Sequence, residues 1–120
     1  MLNRKVIGKN GEDRASDYLV GHGFKILNRN WRTKRGEIDI IAEKENIIVF
    51  VEVKTLPSGS LETLSHELNQ RKQKRITETA KRFLAINRKY NERIIRFDVI
   101  VIDMPGFPSV YHIENAFFGA

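Results

Sequence analysis

The sequence contains no cysteine, only three prolines among 120 residues, and no long apolar segment. The absence of cysteine excludes a disulfide framework and any thiolate metal site. The longest uninterrupted apolar run, residues 47–51, is far shorter than the roughly 20 residues that span a bilayer. The first residues, "MLNRKVIGKNGED", also lack the apolar run of a secretory signal. We therefore expect a cytoplasmic protein that forms one domain over residues 1–120 and has no membrane partner.

Positive charge is concentrated in one part of a chain whose formal net charge is +6. Between residues 70 and 96 there are ten Lys or Arg and two Glu, a local net charge of +8, so the rest of the chain carries −2. Clustered cations favour a polyanionic partner, because they displace counterions from a nucleic acid backbone. A helix with an outer face of solvated cations explains the same pattern, so composition alone leaves both interpretations open.

Hydrophobic periodicity and turn signals predict elements in the order α-β-β-β-α-β-β. The second and third strands form a hairpin and must be antiparallel, whereas the long helix allows a parallel crossover to the fourth strand. The expected fold class is therefore α/β, with a mixed central sheet flanked by helices. The predicted segments are a helix over residues 5–20, strands over 24–32, 36–44 and 47–55, a helix over 63–90, and strands over 93–103 and 109–117.

The hairpin "GEIDIIAEKENIIVFVEVKT" carries single acids within two otherwise apolar strands. If its turn is Glu45-Asn46, directly opposed positions sum to 91. One side is then wholly apolar, while the other side brings Asp39 opposite Glu52. A slip of one residue would mix charges into the apolar side, so the pattern selects this register. The opposed pairs on the apolar side are Ile38 and Val53, Ile40 and Val51, and Ala42 and Val49; those on the other side are Glu37 and Lys54, Asp39 and Glu52, and Ile41 and Phe50.

Opposed carboxylates on adjacent strands are normally unfavourable. With Cβ atoms about 5 Å apart and an effective dielectric constant near 20, two unit charges repel by on the order of 3 kcal/mol. A shared proton, a lysine or a divalent cation could offset this repulsion. Lys54 lies two residues beyond Glu52 on the same face, but one lysine neutralises only one acid. A hard cation such as Mg²⁺, bound by one or two carboxylates and by phosphate oxygens, fits Asp39 and Glu52 better.

The first helix contributes a further acid to this prediction. Gly8, Glu12, Ala15 and Leu19 recur at helical spacing and form one stripe, whose small residues allow a close approach to the sheet. A lone carboxylate on a buried stripe is costly. We therefore expect Glu12 to point into the same acidic site, with a solvated edge of the stripe as the alternative.

An aspartate followed thirteen residues later by Glu52-Val53-Lys54 at a strand end resembles the PD-(D/E)xK nuclease signature, with Ile38 in place of the proline. The whole chain resembles the YraN family, which is related to archaeal Holliday-junction resolvases. The resemblance implies a restriction-endonuclease-like fold with an α-β-β-β-α-β core. The matching segments, in order, are "GKNGEDRASDYL", "NWRTKRGEIDIIA", "VFVEVKT", "KRITETAKRFL", "RFDVIVID" and "ENAF".

The resemblance also implies a function, metal-dependent hydrolysis of phosphodiester bonds in nucleic acid, in DNA rather than RNA and in branched or structured DNA. Asp39 and Glu52 would hold Mg²⁺ or Mn²⁺, with the Val53 carbonyl oxygen as a further ligand. Glu12 would bind the metal directly or through water. Lys54 would orient or deprotonate the attacking water. Resolvase-like relatives act as dimers, which implies a homodimer through the C-terminal aromatics, although core packing explains Phe107, Tyr111, Phe117 and Phe118 equally well.

Contacts to the substrate follow from two basic segments. "NRNWRTKRG" places cations around Trp31 just before the hairpin, where they could clamp a phosphate backbone; the alternative is a core tryptophan flanked by solvated cations. Relatives of this fold often carry a Gln or Lys that lines the site near the start of the long helix, which suggests Lys74. The predicted nucleic-acid-binding residues are Arg32, Lys34, Arg35 and Lys74.

Other titratable residues receive structural interpretations. Arg96 and Asp98 share one face of the fourth strand and are expected to pair. The three histidines have no metal-ligand spacing and are expected at the surface or in turns.

Two rival functions stay open beside the nuclease. One is a non-catalytic nucleic-acid-binding module with the same fold, and the other is an interaction protein whose acidic pocket serves structure only.

Overall fold

The computed structural model describes residues 4–117 and the side chains of residues 10–117. The described residues form three helices, a 3₁₀ turn over Arg88–Tyr90 and five strands. No helix in this described part of the chain is long and apolar enough to cross a membrane. The helices are α1 (Arg4–Gly21), α2 (Leu61–Glu67) and α3 (Gln70–Ile86), and the strands are β1 (Lys25–Thr33), β2 (Gly36–Lys44), β3 (Ile47–Thr55), β4 (Ile94–Ile102) and β5 (Val110–Phe117).

The five strands form one sheet in the order β1-β2-β3-β4-β5. Neighbouring strands are antiparallel except β3 and β4, which are parallel and are joined by the crossover through α2 and α3. The mixed sheet, the parallel crossover and the α-β-β-β-α-β order confirm the predicted fold class and are compatible with a restriction-endonuclease-like core.

Both faces of the sheet are covered by helices, so the central strands are apolar on both sides. Alternation along β3 sends Ile48 and Phe50 to the α3 face and Val49 and Val51 to the α1 face. On the α3 face, Phe50 packs edge-on against Phe83 at 5.9 Å between ring centroids. The fully covered centre of the sheet explains why a carboxylate placed there needs a specific partner.

The predicted single helix over 63–90 is wrong, because the segment contains two helices and a 3₁₀ turn. The Ser60 side chain caps α2, and the Asn69 side chain caps α3 by accepting the Lys72 backbone N–H at 3.0 Å. Between them, Leu68 is buried in the α3-face core. Asparagine favours such caps because its side chain satisfies an N–H that lacks a partner within the helix.

The stripe of small residues on α1 packs closely on the sheet, as predicted. Ala15 and Leu19 are fully buried, and a Cβ added at Gly11 would collide with the Thr55 hydroxyl of β3. Gly8 lies on α1 but outside the residues whose side chains are described. The close approach brings the following residue, Glu12, beside the sheet.

The C-terminal aromatics pack inward in this chain. Phe117 is buried in the α3-face core, and Phe107 and Tyr111 pack against it with their ring centroids 4.8 Å apart. Phe118 lies outside the described residues. Core packing, the alternative to a dimer contact, accounts for the three described aromatics.

Candidate metal and phosphodiester site

The hairpin has the predicted register in its central part but changes at Asp39. Ile40 pairs with Val51 and Ala42 with Val49, as the sum of 91 requires. Ile38, expected on the same side as Ile40, instead packs in the core on the opposite, α3 face. The backbone pairing with β3 ends at Ile40, and beyond it the Asp39 carboxylate accepts a hydrogen bond from the backbone N–H of Val53.

That hydrogen bond, 2.8 Å from the Val53 nitrogen to Asp39 Oδ2, holds the Asp39 side chain against β3. Glu52 is buried and lies close enough to Asp39 for its charge to raise the pKa of Asp39. The two acids are therefore neighbours, but the backbone pair between Asp39 and Glu52 that the predicted register requires is not part of the β2–β3 pairing, which ends at Ile40 and Val51.

The environment of the two acids opposes ionisation. Burial, and next the charge of Glu52, raise the pKa of Asp39 to about 8, against a smaller opposing effect of the Val53 N–H. Burial also raises the pKa of Glu52, while Lys72 and Lys54 act in the opposite direction. Burial and mutual repulsion thus favour a protonated form of the pair.

Two lysines lie beside the pair, and only one of them was predicted. Lys72 Nζ lies 3.9 Å from Glu52 Oε1. Lys54 influences Glu52 electrostatically, but its nearest carboxylate is Glu67 of α2, at 3.3 Å from Nζ to Oε1. Lys74, the predicted lining residue, is exposed and forms no ion pair within residues 10–117.

Neither Lys72 nor Glu67 was predicted from the sequence. Lys72 lies four residues before the buried Ile76, on the side of α3 that faces the sheet, whereas Glu67 belongs to α2, which the prediction of one continuous helix did not separate from α3. The sequence "LNQRK" does contain the signal, since an asparagine followed by polar residues is typical of a helix start.

Glu12 lies beside the pair but is engaged by β1. Its carboxylate accepts a hydrogen bond from Asn30 Nδ2 at 3.3 Å and lies 3.7 Å from an Arg29 nitrogen. Its charge contributes to the raised pKa of Asp39. Asn30 has a left-handed backbone, with φ 54°, which asparagine tolerates better than most residues and which is often found near functional sites.

The acids do not form a ready-made metal cage. Within the described part of the chain, no three His, Asp or Glu side chains are grouped so that they could hold a metal by themselves. Any cation at Asp39 and Glu52 would therefore need other oxygen ligands, such as a backbone carbonyl, water or a phosphate.

Three of the four cations predicted to bind nucleic acid lie at the end of β1 and in the turn that follows, whereas Lys74 lies on α3. Trp31 packs edge-on against Phe83 at 5.3 Å between ring centroids, so its ring belongs to the core. Arg32 and Arg35 are about three-quarters exposed and form long ion pairs, at 3.3 Å to Glu37 and 3.5 Å to Glu78.

A separate buried charge network lies on β4 and β5. The fully buried Asp98 accepts hydrogen bonds from the Arg96 guanidinium at 2.9 and 2.8 Å and from the Asn115 backbone N–H at 2.9 Å, and His112 Nε2 lies 2.7 Å away. Burial acts to raise the pKa of Asp98, but these hydrogen bonds together lower it. The predicted Arg96–Asp98 pair is confirmed. The expectation for His112 is wrong, because its side chain is buried.

Comparisons with known proteins identify the family. Residues 11–102 match the model of the uncharacterised protein family UPF0102. A UPF0102 protein of Treponema pallidum (strain Nichols) is 47% identical over 119 residues, covering 96% of this chain and 94% of the relative. One of Geobacter metallireducens is 44% identical over 117 residues, with 97% and 95% covered. One of Caldicellulosiruptor bescii is 41% identical over 113 residues, with 94% and 95% covered. The chain therefore belongs to the UPF0102 family, the YraN family whose motifs its sequence carries.

Proposed function

We propose that this protein is a divalent-metal-dependent endonuclease of the cytoplasm that hydrolyses phosphodiester bonds in DNA, with branched or structured DNA as the substrate class. The observation that carries the proposal is the buried Asp39–Glu52 pair, whose burial and mutual repulsion hold the pKa of Asp39 near 8. Strongly perturbed carboxyl pKa values cluster at functional sites, which supports a binding role for this pair. A bound cation would attract both carboxylates and so offset the repulsion between them.

The residues present fit Mg²⁺ or Mn²⁺. Both ions prefer oxygen ligands and are commonly held by one or two carboxylates, with water and substrate phosphate completing the shell. Asp39, Glu52 and the Val53 carbonyl would hold the ion, with Glu12 acting directly or through water. The chemistry that such an ion supplies is a lowered pKa of a nearby water and neutralisation of charge on the phosphate.

The remaining roles belong to the lysines. Lys54 would orient or deprotonate the attacking water and stabilise the negative charge that develops on the phosphate. Its ion pair with Glu67 holds the side chain at the edge of the site. Lys72 lies close enough to Glu52 to keep this carboxylate more acidic than burial alone would allow.

A cleavage screen tests the proposal. Labelled duplex, flap and four-way-junction DNA are incubated with the protein and Mg²⁺ or Mn²⁺, and wild type is compared with the Asp39→Asn/Glu52→Gln double variant. We expect cleavage by the wild type only. Asp103→Asn serves as the control, because this carboxylate pairs with Arg14 away from the site and its loss should leave cleavage intact. A double variant that cleaves as fast as the wild type would refute the proposal.

The second candidate is a non-catalytic nucleic-acid-binding module. The pairing of Lys54 with Glu67 favours it, since this ion pair draws the lysine away from Glu52. Calorimetric titration with Mg²⁺ and Mn²⁺ separates the candidates. Metal binding that disappears in the double variant supports the enzyme, whereas DNA binding without metal binding supports the module. Light scattering of the same samples tests the homodimer that the likeness to resolvases implies.

A further inference from the structure

A basic cleft of about 630 Å³ lies between the β1–β2 turn and the outer flank of α3. The turn approaches the helix closely at Gly36, where an added Cβ would lie 2.9 Å from the Thr79 hydroxyl oxygen. The absence of a side chain at Gly36 thus allows the turn to lie directly against α3. Its lining residues are Thr33, Lys34, Arg35, Glu78, Lys81 and Arg82.

The charge of the cleft is strongly positive. Its lining has four cations and one acid, and that acid, Glu78, is already 3.5 Å from Arg35. Lys34 and Arg82 are exposed and form no ion pair with any residue from 10 to 117. A concave surface lined mainly by cations favours an anion that can contact several of them at once.

Two elements lead from the carboxylate pair to this cleft. Along β2, Gly36 lies three residues before Asp39, or about 10 Å at the rise of a strand. Along α3, Arg82 lies ten residues after Lys72, or about 15 Å at the rise of a helix. Exposed cations line this part of the helix, namely Arg71, Lys74, Arg75, Lys81 and Arg82.

We propose that this cleft is a binding site for the phosphodiester backbone of duplex DNA, about three to four nucleotides from the bond at the Asp39–Glu52 pair, given the 3.4 Å spacing per nucleotide along a strand. The inference deepens the proposed function and rests on it for the position of the scissile bond. It assigns Arg82 and Lys81 of α3 to substrate binding together with Lys34 and Arg35. Binding at the cleft itself requires neither metal nor the carboxylates.

The test measures DNA affinity by fluorescence anisotropy in a buffer with a chelator. A duplex of about 16 base pairs is titrated between roughly 50 and 200 mM salt, and the slope of log K against log salt is determined. We expect Lys34→Gln and Arg82→Gln each to weaken binding several-fold and to reduce the slope by about 0.9, the contribution of one phosphate contact. Lys25→Gln is the matched control, since Lys25 is also exposed but lies at the opposite end of β1.

A Lys34→Gln variant with the wild-type slope would overturn the inference. A loss of DNA affinity in Lys25→Gln equal to that in Lys34→Gln would also overturn it, because the overall positive charge would then explain binding. Failure of the wild type to bind DNA at low salt would also overturn it. The two outcomes that concern the variants are distinct from failure of the proposed function. A chain that passes the binding test but never cleaves refutes the nuclease alone, and a nuclease with unchanged slopes refutes the cleft alone.

Discussion

Replacing Asp39 by Asn removes one of the two neighbouring carboxyl groups, the partly buried one, while preserving its shape. Asparagine can still accept the hydrogen bond from the Val53 backbone N–H through Oδ1. In the wild type the pKa of Asp39 is raised from an ordinary 3.8 to about 8. Between these values the native state holds a proton that the unfolded chain has lost. The contribution of this extra bound proton to the free energy of unfolding is therefore fully present below about pH 4 and is lost as the pH rises toward 8.

Two limits bound the change in the free energy of unfolding that Asp39→Asn should cause. The raised pKa of Asp39 corresponds to at most about 6 kcal/mol, at about 1.4 kcal/mol per pKa unit. The repulsion of two carboxylates about 5 Å apart at an effective dielectric constant of 20 is about 3 kcal/mol. We take the lower figure, because water screens a partly exposed carboxyl group. Asp39→Asn should therefore raise the free energy of unfolding by about 3 kcal/mol at pH 8 and by less than about 1 kcal/mol at pH 4.

Urea unfolding from pH 4 to pH 8, followed by the fluorescence of the single tryptophan Trp31, measures this difference. At pH 8 the melting temperature should rise by roughly 10 °C. Asp103→Asn is the control, and we expect it to lower the free energy of unfolding at pH 8. A hydrogen bond from Arg14 lowers the pKa of Asp103, so the ionised carboxylate stabilises the fold at pH values above the pKa of the unfolded chain. Loss of stability in Asp39→Asn at pH 8 would refute the argument and would make the acid a structural residue.

Three further variants test the packing and charges around the sheet. Lys72→Gln removes a cation that lowers the pKa of Glu52, so we expect it to destabilise the protein more at pH 8 than at pH 4 in urea titrations; a pH-independent loss would contradict this. Asp98→Asn removes the buried anionic partner of Arg96 and leaves only the exposed Glu114, 3.8 Å away, so it should cost about 3–5 kcal/mol of unfolding free energy, whereas a loss below about 1 kcal/mol would show that the network is dispensable. Gly11→Ala forces α1 away from β3 and should cost about 1–3 kcal/mol, and a melting temperature equal to the wild type would refute that contact.

The elements that the sequence predicted well depend on local patterns. The hairpin turn at Glu45-Asn46, the register at Ile40 and the parallel crossover follow from alternation and from connection length. The long helix was mispredicted because helical periodicity continues across a capped break, and only the Asn69 cap separates α2 from α3. Side-chain caps compete with the backbone at single positions, which an average over a window does not resolve.

The mixed sheet and the central register at Ile40 and Ala42 follow from the sequence, because a strand period of two leaves one register in which both faces are consistent. The contact between Asp39 and Glu52, the turn of Ile38 to the α3 face and the ion pairs of Lys54 with Glu67 and of Lys72 with Glu52 depend on the tertiary structure. These contacts join residues from different elements. Their geometry depends on how helices pack on the finished sheet, and the raised pKa of Asp39 depends on the water that this packing excludes.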